Sequence, residues 1–173
     1  MNKNSKTVGI LAETDYQTLE VWYPLLRLRE AGHQPIVIGT GSANVYRSKD
    51  GYPVGVERAA GSVQPSDLDA IIIPGGWAPD KLRQYPAVID LVRQVHSAGK
   101  PVAAICHAGW VLVSAGLCRG RRLTSFVAIK DDLIAAGGQW VDEECVVDGN
   151  LITARKPDDL PAFMSALLSA LAR

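Results

Sequence analysis

Three cysteines and three histidines are the side chains in this sequence best suited to nucleophilic or acid–base chemistry, and one cysteine stands in a telling place. Cys106 follows the apolar run 101–105 (PVAAI) and opens the helical pattern 107–115. In open α/β sheets, ligands bind beyond the carboxyl ends of the strands. Ala104 precedes it by two positions, and Ala108 and Gly109 follow. A nucleophile held on a tight strand-to-helix turn needs small neighbours at those positions, because bulky ones would collide. The helix start offers unpaired N–H groups and a positive dipole end, so a lowered thiol pKa is expected. The competing reading is a small buried apolar residue, which free cysteine often is. The small flanks and the glycine loop described next favour the nucleophile.

Pro74, Gly75 and Gly76 follow the apolar run 69–73 (DAIII). Two glycines at a strand end let the backbone approach a ligand and turn its N–H groups toward a developing oxyanion. The same triplet is also an ordinary turn, and it gains weight only beside the Cys106 elbow. Glu20 lies in an apolar helical stretch. An anion there would be costly to bury, so it either points outward or shares a proton. On spacing alone the surface position is favoured. His33 reads as structural, His96 as exposed, and only His107 adjoins Cys106. Helix neighbours point in different directions, so His107 is a general base only if the turn permits it. The C-terminal third holds no histidine, which excludes a distant Cys–His pair from that part. Cys118 and Cys145 read as packing residues.

The elements that must hold these groups alternate. Strands are expected over 7–12, 34–39, 69–73 and 101–105, and helices over 18–31, 86–98 and 107–115. The first helix is expected to bury Leu19, Trp22, Leu25, Leu26 and Leu28. A hairpin is expected within 43–58, and a second over 141–147 and 151–153 around Asp148, Gly149 and Asn150. A closing helix spans 157–171, with Leu160, Phe163, Met164, Leu167 and Leu168 on its apolar face. Runs without polar alternation imply strands buried on both faces, hence an α/β protein with a mostly parallel sheet. The 173 residues suit one domain, 1–173. Lys plus Arg and Asp plus Glu are 18 each, a balance that gives no footprint for nucleic-acid binding and no barrier to self-association. The polar start over 1–6 and the absence of long apolar runs imply no export signal and no membrane span, hence a cytoplasmic location. Three cysteines do not make a disulfide framework.

These motifs together resemble the PfpI branch of the class I glutamine-amidotransferase-like superfamily, which includes intracellular-protease-like proteins, protein deglycases, general stress proteins and the parkinsonism-associated family. The resemblance is carried by 20–24 (EVWYP), 73–76 (IPGG), 103–109 (AAICHAG), 130–133 (KDDL) and 147–153 (VDGNLIT). It implies a flavodoxin-like three-layer sandwich with a C-terminal hairpin plus helix. It implies Cys106 as nucleophile, Glu20 as its proton partner, His107 as the histidine after the cysteine, and Gly75 and Gly76 at the substrate, with the amides of Gly76 and His107 as the oxyanion site. It implies no metal and no organic cofactor, and a homodimer or higher homo-oligomer. Phe126 stands where parkinsonism-type relatives carry a histidine, and Gln17 where PfpI relatives often carry an acid.

Three functions are compatible with this set. The first is a stress-protective, cysteine-dependent enzyme acting on small reactive carbonyls or on glycated protein or nucleotide, as a deglycase or glyoxalase-like hydrolase. The second is an intracellular cysteine peptidase using Cys106 and His107. The third is a non-enzymatic thiol redox sensor.

Overall fold

Strand β1 (Thr7–Ala12) and β2 (Gln34–Gly39) run parallel and are joined over helix α1 (Thr18–Glu30). This is a computed structural model, and it describes residues 5–172; of the polar start, residues 1–4 lie outside the described residues. A small antiparallel hairpin, β3 (Val45–Arg47) with β4 (Pro53–Gly55), stands apart from the main sheet. β5 (Arg58–Ala59) then returns to the sheet edge beside β2. β6 (Ala70–Ile73) leads through α2 (Ala78–Leu82) and α3 (Pro86–Ser97) to β7 (Val102–Ile105). A single 3-10 turn, Cys106–Ala108, starts α4 (Gly109–Ala115). β8 (Arg122–Leu123), α5 (Lys130–Ala135) and β9 (Gln139–Trp140) follow, with β8 and β9 paired parallel. β10 (Cys145–Asp148) and β11 (Leu151–Ala154) form the C-terminal hairpin, and α6 (Leu160–Leu171) closes the chain.

The central sheet has seven strands in the order β10-β11-β7-β6-β1-β2-β5. Only the β10–β11 pair is antiparallel. Helices α1 and α6 pack together, and α2, α3 and α5 gather around α4, so helices flank the sheet in a flavodoxin-like arrangement. Every residue of β6 and β7 is buried, as parallel strands covered on both faces require. The ends of β1, β6 and β7 therefore meet at one sheet edge, each feeding a loop.

The expected elements are present with shifted ends, and several details differ. The buried face of α1 is Glu20, Val21, Pro24, Leu25 and Leu28, while Leu19 and Leu26 are exposed and Trp22 is half-buried. Positions 21, 25 and 28 define the inward stripe at helical spacing, and Leu19 and Leu26 lie seven apart on another face. The strand expected over 141–147 begins only at Cys145, because residues 139–141 are drawn to β8 instead. Asp142 then reaches Arg155 at 2.7 Å, which bends the chain before β10. His96 is half-buried rather than exposed, and burial lowers its pKa. α2, α5, β5, β8 and β9 are too short for periodicity to reveal. Among the described residues no helix is long and apolar enough to cross a membrane.

Candidate active site

Cys106 has φ +64°, a left-handed conformation that non-glycine residues seldom adopt. Holding it costs about 1–3 kcal/mol, which the surrounding fold must supply. The fully paired β7 fixes the chain before the turn, α4 fixes it after, and the Phe126 amide donates to the Cys106 carbonyl at 3.2 Å. Ala104 and Ala108 are buried on either side, where larger side chains would not fit. The thiol itself is nearly enclosed, the residue being 7% exposed.

The loop after β6 closes over this turn. A Cβ on Gly75 would lie 2.7 Å from the Cys106 Cβ, 2.7 Å from Glu20 Oε2 and 3.0 Å from the His107 nitrogen. Glycine at 75 is therefore the condition for thiol and carboxyl to approach each other. Gly76 has φ +75°, and a Cβ there would meet the Asp15 carbonyl and the Gln17 nitrogen at 2.5 Å each. The Gly75 amide donates to Glu20 Oε2 at 2.7 Å, so it is committed to the carboxyl group. The amides of Gly76 and His107 are the ones that face the Cys106 sulfur.

Glu20 is fully buried, against the surface position favoured by spacing alone. The reason lies at the start of α1. Gln17 caps the helix, its side-chain oxygen accepting from the Glu20 amide at 3.1 Å. The Gln17 amide donates to the Gly75 carbonyl at 3.2 Å. One residue thus ties the first turn of α1 to the glycine loop and carries Glu20 inward. Glu20 Oε1 has no nitrogen or oxygen partner, which leaves it for the thiol.

Burial raises the Glu20 carboxyl to about 7, while the Gly75 amide, the Cys106 thiol and Lys49 act in the other direction. Burial also pushes the Cys106 thiol up to about 12, with the negative charge of Glu20 as the next cause, and the two facing amides oppose it. The expected lowering by the helix start is thus corrected. α4 has only seven residues, and desolvation together with a neighbouring carboxylate outweighs its dipole. The two groups ionise against each other. Near neutral pH they keep at least one proton between them, and protonation of Glu20 removes the charge that opposes the thiolate.

The turn brings His107 Nδ1 to 3.3 Å from the sulfur, so the strained backbone overcomes the usual divergence of neighbouring helical residues. Burial lowers the His107 pKa, which leaves the ring neutral at neutral pH. Phe126 stacks on that ring at 4.9 Å between centroids, Trp110 meets it edge-on at 5.4 Å, and Trp77 lies tilted against it at 5.5 Å. Trp77 and Trp110 escaped the reading of the sequence. Their signal was an aromatic directly after the glycine pair and another one turn after the cysteine. Two open clefts flank this aromatic wall, one bounded by Phe126 and the other by Trp110, and Cys106 floors neither. Cys118 and Cys145 lie elsewhere, each raised to about 11 by burial. Among the described residues no three histidine, cysteine or acidic side chains cluster as metal ligands do.

Residues 6–170 match the DJ-1/PfpI family. A deglycase of Pyrococcus abyssi is 43% identical over 164 residues, covering 95% of this chain and 98% of its own. Protein/nucleic acid deglycase 2 of Escherichia coli is 38% identical over 161 residues, covering 92% of this chain and 94% of its own. Among solved structures, a two-domain protein of Anabaena variabilis with DJ-1/ThiJ/PfpI-like and ferritin-like domains superposes with a TM-score of 0.95 at 40% identity. The match covers 97% of this chain and 48% of that one, so this chain spans about half its length.

Proposed function

This chain belongs to the DJ-1/PfpI family, and from that premise we propose that it is a cysteine-dependent deglycase acting on adducts of small reactive carbonyls such as methylglyoxal. The observation that carries the reading is the pairing of a strained, enclosed Cys106 with a buried Glu20 through the Gly75 gap. Relatives along nearly the whole chain are named deglycases.

The steps follow from the groups present. The sulfur adds to the carbinol carbon of an amine–methylglyoxal adduct, the carbon–nitrogen bond breaks, and the amine leaves with the proton held between Cys106 and Glu20. The product is a hemithioacetal on Cys106. Glu20 then takes the proton from the carbon bearing sulfur and returns it to the neighbouring carbonyl carbon, while the hydroxyl proton of the first carbon passes to the carbonyl oxygen of the second, which gives a lactate thioester. Negative charge on oxygen is held by the amides of Gly76 and His107. Water gives a proton to neutral His107 and attacks the thioester, the carbon–sulfur bond breaks, and His107 passes the proton back to the Cys106–Glu20 pair. The sum is adduct plus water giving free amine plus lactate, with no external oxidant or reductant.

The 3.3 Å approach of His107 to the sulfur also suits an intracellular cysteine peptidase. That reading lacks a carboxylate to orient the ring, since among the described residues none is hydrogen-bonded to His107. The assembly that fits the exposed apolar side chains is a homo-oligomer.

The test is release of free amine and lactate from methylglyoxal-treated Nα-acetyl-lysine. Wild type is expected to release both in equal amounts and Cys106→Ser neither. Amine release that persists in Cys106→Ser contradicts the proposal.

A further inference from the structure

Arg83 and Asp132 line one open cleft of about 520 Å³ beside Trp110, together with Val113, Ala135 and Ala136. Arg83 donates its Nε–H to Ser114 Oγ at 3.0 Å, and its guanidinium carbon lies 6.0 Å from the centre of the Trp110 ring. Asp132 Oδ2 accepts the indole N–H of the same tryptophan at 2.8 Å. Among the described residues neither group forms an ion pair, with each other or with any other side chain. The cleft thus presents one cation held by Ser114 and one anion held by the Trp110 indole, both beside that ring and each with free hydrogen-bonding capacity. That indole packs 5.4 Å from the His107 ring, next to the reacting sulfur.

An anchored guanidinium with both Nη groups free suits a carboxylate, and an anchored carboxylate suits an ammonium. We infer that this cleft is a subsite for the zwitterionic head of a side-chain-glycated free amino acid, with its α-carboxylate on Arg83 and its α-ammonium on Asp132. The inference rests on the deglycase reading and specifies its substrate. The apolar stem of a lysine lies over the Trp110 and His107 rings and carries the adduct on its ε-nitrogen toward Cys106. A lysine within a protein chain has neither charge at its α-position. It would cover Arg83 and Asp132 without pairing them, which disfavours binding.

The experiment is calorimetric titration of the wild-type protein with L-lysine and with Nα-acetyl-L-lysine amide, two probes that differ only at the head. L-lysine is expected to bind about tenfold more tightly or better. In Arg83→Gln and in Asp132→Asn the two probes are expected to come within about twofold of each other. The ratio is internal to each variant, so partial loss of folded protein does not imitate this result. Equal binding of the two probes by wild type, binding of neither, or an unchanged ratio in both variants overturns the inference. Failure of the deglycase reading shows separately, as absent turnover of glycated lysine by wild type.

Discussion

A methyl group at position 75 would occupy space already filled by the Cys106 Cβ and Glu20 Oε2, each 2.7 Å away. The Cys106 Cβ is fixed to its backbone, and Glu20 Oε2, though a side-chain end, is buried and held by the Gly75 amide, so Gly75→Ala forces thiol and carboxyl apart. The expected result is loss of activity of a hundredfold or more and destabilisation of about 1–3 kcal/mol, measured by steady-state kinetics and urea unfolding. Glu20 gives a second prediction at this scale. Its carboxyl binds a proton more tightly when folded, at about 7, than at its ordinary value of 4.5. The folded state therefore holds the extra proton between those values, and stability from this group, fully present below 4.5, is lost as pH rises through 7. The loss is on the order of 3 kcal/mol across that window. Urea unfolding of Glu20→Gln at pH 5 and pH 8 is expected to lack that part of the slope; an unchanged slope would show that Glu20 ionises without cost. Cys106 and the glycine pair were legible in the sequence because their neighbours are small and sit at strand ends. The burial of Glu20 was not, because helical spacing alone does not say where a helix's inward stripe ends.

At the scale of elements, the site depends on how α1 begins. Gln17 caps the helix with its side chain and bonds the glycine loop with its backbone amide, so one residue sets the depth to which Glu20 is carried. Gln17→Ala removes the cap acceptor and is expected to cost about 1 kcal/mol of stability. It is also expected to lower kcat more than it raises KM, since the proton partner shifts while the clefts stay intact; an effect on stability alone would reduce Gln17 to an ordinary cap. The long elements could be read because β6 and β7 are uniformly apolar and α3 and α6 are periodic. The short ones could not. α2, α5, β5, β8 and β9 have two to six residues each, and their form is set by what they pack against. The aromatic wall around His107 belongs to this second group, since Trp77 and Phe126 come from loops whose course only the tertiary structure decides.

At the scale of the molecule, the balanced charge and the exposed apolar side chains act together. Leu19 and Leu26 on α1 are 53% and 56% exposed, and Val45 and Tyr52 of the hairpin segment are similarly open. With 18 charges of each sign, no net repulsion opposes association of two copies through this surface. Sedimentation velocity is expected to show a dimer or larger assembly for wild type and a smaller species for Leu26→Glu; a wild-type monomer at micromolar concentration would remove the proposed assembly. The sheet edge, the glycine gap and the buried carboxyl all converge on one sulfur, and the central claim is that Cys106 and Glu20 act as a single proton-sharing unit. The most direct measurement is methylglyoxal consumption and lactate formation by wild type, Cys106→Ser and Glu20→Gln side by side at neutral pH. Turnover by wild type, none by Cys106→Ser, and a fall of about a hundredfold or more for Glu20→Gln are expected. Full activity in Glu20→Gln, or an inert wild type, would contradict it.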